Sequence, residues 1–357
     1  MSKIKTFITG VNGQAGATLA KELVKDDKNE VFGLIRRSSN NTTGRLKDIL
    51  NSPNFKMIEG DICDPTSINV NLQRIQPDYL FHYAAQSHVA TSFEQPHYTC
   101  NVNVGGTLNV LEGVRLFSPK TRMYNSSSSE MFGSNYNSIK ESIYEPSSNV
   151  FLDYEYKVQN ESTPFHPRSP YAASKVAAHY LCQNYREAYR LYIASGITFN
   201  FEGTLRGENF VTRKITKWIG QHYTLLSSKN TQDLILLNGG TLPKLKLGNI
   251  NSYRDWSDCR DTVKAQWLML QQTKPEDFVI ASGQTQSVKD FLELAFREVG
   301  CNWQDWVEID QSLFRPSEVE YLLGDATKAR MILGWEPTVS FEQLVKEMVW
   351  NDIKNEN

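Results

Sequence analysis

Long apolar runs are missing from this chain. None of its 357 residues lies in a run approaching the roughly 18 apolar residues of a membrane-spanning helix. The opening "MSKIKTFITG" passes at once into a strand pattern without the shape of a leader peptide. The expectation is a cytoplasmic protein with no membrane contact. An excess of one charge is missing too. The 38 Lys+Arg residues against 40 Asp+Glu leave a formal charge of −2 with no basic block, which argues against a nucleic-acid partner. Only five cysteines occur, at positions 63, 100, 182, 259 and 301, with no C-x-x-C pair and an odd total. Neither a disulfide framework nor a metal centre is expected. No internal repeat is visible.

What is present is alternation. Apolar runs at Ile4–Thr9, Glu30–Ile35, Phe55–Glu59, Tyr79–His82 and Met123–Ser127 read as strands. Helical spacing appears between them at Ala15–Lys25, Arg45–Leu50, Thr66–Ile75 and Val102–Phe117. This predicts an α/β fold, a Rossmann-type doubly wound parallel sheet with ligands at the carboxyl ends of its strands. Residues 1–205 are assigned to a nucleotide-binding domain, which later segments may rejoin as strands, and residues 206–357 to a smaller substrate-binding region. From Asn135 to Pro167 the sequence is polar and aromatic without a clear period, as in a functional flap.

The first turn, "TGVNGQAG", places Gly10, Gly13 and Gly16 between strand and helix. Glycines there let a pyrophosphate approach the free N–H groups of the helix N-terminus. At the end of the second strand, where an acidic residue would meet the ribose of NAD, stand Arg36, Arg37 and Ser38. Two guanidinium groups and a hydroxyl suit a 2′-phosphate, so the cofactor read from the sequence is NADP. "GDI", with Asp61 and Ile62, and "HYAAQS", with Ala84, Ala85, Gln86 and Ser87, end the next two strands beside the same ligand.

"RSPYAASK" opens a long helix, with Ser169 as N-cap and Pro170 in the first turn. Tyr171 and Lys175 are four apart and share a face. A lysine beside a phenol favours the phenolate, which takes a proton from a hydroxyl while hydride leaves the same carbon. Upstream of the 135–167 segment, "SSSSEMFGS" sets a carboxylate, Glu130, directly after hydroxyls at the end of the fifth strand.

Taken together, "TGVNGQAG", "IRRSS", "AAQSHVATSFEQP", "SSSEMFG", "RSPYAASK", "NYREAY", "RGENFVTRKI", "LGNINSYRDW" and "RPSEVEYLLGD" resemble the extended short-chain dehydrogenase/reductase superfamily. Within it they resemble the GDP-mannose 4,6-dehydratases over nearly the whole chain. The resemblance implies that Ser128, Glu130, Tyr171 and Lys175 are catalytic. Tyr171 would deprotonate the C4 hydroxyl, and Glu130 would remove the C5 proton and deliver it to the departing C6 hydroxyl. It also implies that Gln14, Tyr98, Lys175 and Arg206 join the NADP site. Ser87, Ser128, Glu130, Tyr171, Asn200, Val211, Lys214, Arg254, Arg315 and Glu318 would surround GDP-mannose or a related GDP-sugar. Long-helix pairing would give a homodimer, or a homotetramer built around the Arg36–Ser39 loop. Arg186 and Arg190 read as ordinary surface charges.

Three departures from the family pattern stand out. Ser128 replaces a threonine, Phe201 replaces a histidine expected to contact the cofactor, and the Gly133–Ser169 connection is longer than usual, as is the stretch around "SSKNTQDLILLNGGTLP". Dehydration of another GDP-sugar such as GDP-manno-heptose is therefore an alternative, as are an NADP-dependent GDP-sugar epimerase or reductase and a non-catalytic NADP sensor.

Overall fold

Five strands of the central sheet lie where the apolar runs placed them, within two residues at either end. The computed structural model describes residues 3–145, 150–228 and 243–356. The strands are β1 (Ile4–Thr9), β2 (Asn29–Ile35), β3 (Phe55–Glu59), β4 (Tyr79–His82), β5 (Arg122–Ser128), β6 (Ile193–Thr198) and β7 (Phe278–Ile280). All pair in parallel, in the spatial order 3-2-1-4-5-6-7. The order reverses between β1 and β4, and the crevice opened there at the carboxyl ends is where such sheets take ligands.

Both faces of the sheet are covered, as parallel sheets require. On one face the Pro65–Ile75, Gly106–Phe117 and Pro170–Tyr189 helices bury Ile68, Leu72, Val110, Val114 and Cys182 against Phe7, Leu80, Met123 and Ile193. On the other, Ala17 and Leu19 of Gln14–Leu23 join Val263 and Met269 of Cys259–Met269 over Ile8, Phe81 and Ile197. A separate core built around Ile215, Ile219, Phe291, Phe296, Val345 and Met348 organises the C-terminal part. A small sheet of Asn200–Glu202, Tyr253–Asp258 and Thr285–Ser287 joins segments from both parts.

Several expectations need correction. Arg45–Leu50 is not a helix: a single tight turn at Gly44–Leu46 suffices to bury Leu46 and Ile49. The Val102–Phe117 helix begins with a wide π turn at Asn101–Gly105. The Asn135–Pro167 segment contains an antiparallel hairpin, Asn137–Glu145 with Val150–Val158. The backbone ladder of a two-stranded ribbon sets its register without a core-facing side, so apolar alternation is weak. Most of the "SSKNTQDLILLNGGTLP" stretch lies outside the described residues.

The glycine-rich turn is close-packed. Gly10 has φ of +68°, and a Cβ on Gly16 would lie 2.6 Å from the Gly10 carbonyl oxygen and 2.7 Å from the Val11 Cα. Both are backbone atoms that cannot swing aside. Gly16→Ala should therefore cost about 1–3 kcal/mol of stability. An unchanged urea-unfolding midpoint would contradict this packing account.

Candidate active site

The run of serines ending β5 divides its work. Ser126 offers its carbonyl to the Lys175 ammonium at 2.7 Å. Ser127 holds His179 through a 2.9 Å bond between its hydroxyl and Nδ1. Ser128, the last strand residue, accepts the Glu130 N–H at 3.3 Å and so caps the single turn Ser129–Met131 that carries Glu130. The Ser128 hydroxyl also lies near enough to the Tyr171 phenol to lower its pKa. A strand end and a helix start thus bring a hydroxyl, a phenol and a carboxylate to one place.

The helix is positioned as its sequence predicts. The Ser169 hydroxyl accepts the Ala172 N–H at 3.0 Å, and Pro170 opens the first turn. Tyr171, Lys175 and His179 recur every four residues along the face turned to β5. Asn103 ties this helix to the end of β4: its amide donates to Ser174 Oγ at 2.9 Å and to the Gln86 carbonyl at 3.0 Å, while its carbonyl accepts the Gln86 N–H at 2.8 Å.

The electrostatics depart from expectation in one respect. Lys175 was expected to lower the Tyr171 pKa. Instead its charge is directed into the strand carbonyl, and burial brings its own pKa down to about 8. Burial pushes the phenol up to about 12; the nearby Ser128 hydroxyl and the Arg206 charge pull it down, and Glu130 opposes them. The bond described for the lysine is to the strand, not to the phenol. Beneath them His82 lies between Thr9 Oγ1 at 2.8 Å and Thr107 Oγ1 at 3.1 Å, and burial lowers its pKa to about 3. It is a neutral structural histidine.

Toward the C-terminal region, Arg254 is buried and donates to Glu318 at 2.7 Å. Burial and Arg315 lower its pKa, while Glu130 and Glu318 favour its charged form. Arg315 reaches the same Glu318 oxygen at 3.3 Å. Glu130 therefore stands at one end of a line of alternating charges that leads through Arg254 and Glu318 to Arg315. Val211 and Lys214 belong to another element, the Val211–Gln221 helix, where Lys214 donates to the Lys246 carbonyl at 2.7 Å. Asn200 sits in the small sheet, paired with Trp256. Arg206 pairs with Glu202 at 2.9 Å and lies 3.6 Å from the Phe210 ring centroid.

A dinucleotide fits the other end of the crevice. A Cβ on Gly10 would come within 2.8 Å of the Ala84 nitrogen, so the turn and the end of β4 form a close cradle. Gln86 Oε1 is buried there without a protein partner. Gln14 donates to the Phe201 carbonyl at 3.1 Å, joining the first helix to the position where a histidine was expected. Arg36, at the end of β2, donates to the Tyr98 hydroxyl at 2.7 Å although 62 residues separate them, and both are exposed. Asp61 keeps its loop in place by accepting the Cys63 N–H at 2.9 Å.

The family model for GDP-mannose 4,6 dehydratase matches residues 7–348. An Arabidopsis thaliana protein named GDP-mannose 4,6 dehydratase 1 is 46% identical over 98% of this chain and 89% of its own length. A human GDP-mannose 4,6 dehydratase is 37% identical over 98% and 91%. The chain belongs to the GDP-mannose 4,6-dehydratase family. Among solved structures, a dTDP-glucose 4,6-dehydratase from Bacillus anthracis in complex with NAD superposes with a TM-score of 0.77 at 20% identity, covering 99% of this chain and 97% of that one. A UDP-glucuronic acid 4-epimerase from Bacillus cereus gives 0.78 at 20%, covering 99% and 100%. These two establish the shared fold.

Some features of this member of the dehydratase family were not read from its sequence. Arg186 is no surface charge: it clamps Asp277 at 2.8 Å and reaches the Ile193 carbonyl at 3.1 Å, holding the Pro170–Tyr189 helix against β6 and the segment leading to β7. Burial lowers the His179 pKa while Asp277 opposes it. Asp277 is 91 residues downstream of Arg186 in sequence, and no local pattern points to it. Arg45 likewise fell in a stretch read only as helical. The described residues contain no cluster of metal-ligating side chains and no helix long and apolar enough to cross a membrane.

Proposed function

We propose that this chain is a lyase that converts GDP-mannose to GDP-4-dehydro-6-deoxy-mannose, with NADP as a cofactor regenerated in each cycle. The observation that carries the reading is Glu130, set one turn beyond Ser128 and beside Tyr171. A reductase or epimerase needs the tyrosine and lysine, whereas elimination across C5 and C6 needs a further proton-handling group. NADP, when bound, would supply the hydride chemistry that links C4 oxidation to C6 reduction. Tyr171 takes the proton of the C4 hydroxyl, and Ser128 hydrogen-bonds the same oxygen. The C4 ketone acidifies the C5 hydrogen, which Glu130 removes and passes to the C6 hydroxyl as it leaves as water. One proton, equal to that lost from the C4 hydroxyl, is delivered to C5 to complete the product. Arg254 and Arg315 are assigned to the diphosphate, and Glu318, which bridges them, to the ribose.

The glycine turn, Arg36, Arg37, Ser38, Asp61, the 84–87 segment and Tyr98 are assigned to the cofactor. Residues 206–357, with their own core, are assigned to the sugar nucleotide. Exposed Leu108, Leu116, Tyr180 and Tyr189 on two long helices support pairing of subunits. One observation favours a variation in substrate. Gln159, at the hairpin base, donates to the Asn135 carbonyl at 2.9 Å and pairs with Gly324, so the insertion is pinned between the Glu130 turn and the Arg315–Asp325 segment. A hairpin so placed borders the sugar site, and GDP-manno-heptose is the second substrate to assay.

GDP-mannose deuterated at C4 tests the proposal: the deuterium should appear at C6 of the product. Deuterium lost to solvent, or left at C4, would contradict an internal hydride cycle. The phosphate role of Arg36 predicts that Arg36→Ala weakens NADP binding about tenfold or more while NAD is nearly unaffected, since a charged hydrogen bond contributes roughly 1.5–3 kcal/mol. Equal losses for both cofactors in titration calorimetry would remove that role.

A further inference from the structure

Arg45 lies outside every motif discussed so far, yet its guanidinium bridges two loops distant in sequence. Nε donates to the Leu205 carbonyl at 2.7 Å, and Nη1 donates to the Asn12 carbonyl at 3.2 Å. Asn12 sits inside the Gly10–Gly16 turn, and Leu205 immediately precedes Arg206. The turn of Gly44–Leu46 that carries Arg45 is fixed by the buried Leu46. Burial and the charges of Arg213 and Arg206 lower the Arg45 pKa, and Glu208 opposes them.

The segment on the far side of this bridge is stiff. Glu202, nearly fully buried, accepts the Thr212 hydroxyl at 2.6 Å and pairs with Arg206, so one carboxylate cross-links both ends of residues 202–212. Phe210 fills the space between: the Arg206 guanidinium covers its ring, and a Cβ on Gly207 would meet that ring at 3.3 Å. Arg213 bonds the Thr204 carbonyl and pairs with Asp352 at 2.7 Å. Residue 211 then begins the helix that carries Lys214. Movement of the segment at one end is thus carried to the other.

We propose that Arg45 is a positioning residue that couples the dinucleotide turn to the sugar-nucleotide segment, so that occupation of either site favours the other. The inference rests on the assignment of the two sites made under Proposed function. A planar fork that bonds two carbonyls on separate elements is a task for arginine; a lysine ammonium can reach one or the other. By linkage, the coupling is reciprocal and appears as a ratio of affinities.

The test is calorimetric and needs no turnover. GDP binding to the full chain is measured with and without saturating NADP, and NADP binding with and without saturating GDP. In the unaltered protein each ligand should tighten the other about fivefold or more. In Arg45→Gln that ratio should fall toward one while each ligand alone binds within about threefold of the unaltered protein, and Arg45→Lys should keep an intermediate ratio. A ratio of one in the unaltered protein would overturn the proposal, as would a ratio preserved in Arg45→Gln. A ratio lost together with both single-ligand affinities would mean that Arg45 merely supports the fold, which also overturns it. Failure of GDP to bind the unaltered protein at all would instead overturn the site assignment on which the proposal stands.

Discussion

Glu130→Gln should stop the elimination and leave the oxidation before it intact. The glutamine keeps the shape of the side chain and leaves the Ser128 cap on its N–H undisturbed, so the Ser129–Met131 turn should persist. What should be lost is the capacity proposed for Glu130, to take a proton from C5 and hand it to the C6 hydroxyl. General acid–base catalysis of this kind contributes about 10²- to 10⁴-fold, and turnover should fall by that order. Because Tyr171 and Ser128 remain, the 4-keto sugar should still form, and reduced cofactor should build up toward one equivalent per active site in a stopped-flow absorbance trace. Normal turnover would remove Glu130 from the mechanism. Loss of cofactor binding would recast it as a structural residue.

Tyr171→Phe should fail one step earlier. The phenol is buried beside the Ser128 hydroxyl, so phenylalanine keeps the ring's packing and removes the proton acceptor. The expected loss in kcat/KM is again about 10²- to 10⁴-fold, now with no reduced cofactor formed, while GDP titrations remain unchanged. The contrast between the two variants separates the roles: both are inactive overall, but only Glu130→Gln accumulates the reduced form. Identical traces would contradict the division of labour between phenol and carboxylate.

Much of this was legible from the chain because the residues concerned are local. The apolar strands β1 to β5 are bounded by glycine and polar residues, and a parallel strand buried on both faces reads as a short apolar run. Ser169 and Pro170 announce a helix start through cap chemistry that depends on four consecutive residues. The unread features all depend on distant partners. β7 has only three residues and joins the sheet from position 278, too short to show a period. The hairpin at 137–158 is held by cross-strand backbone pairing. Arg186 looks like any exposed helix charge until Asp277 arrives beside it. Lys175 illustrates the limit of spacing: four residues place it on the face of Tyr171, but the Ser126 carbonyl decides where its charge points.

Mass spectrometry of GDP-mannose incubated with the purified protein and substoichiometric NADP tests the central claim most directly. An internal redox cycle predicts complete conversion to a product lighter by one water, with no net gain of NADPH. GDP-mannose returned unchanged, or a product formed only in proportion to the cofactor consumed, would contradict it.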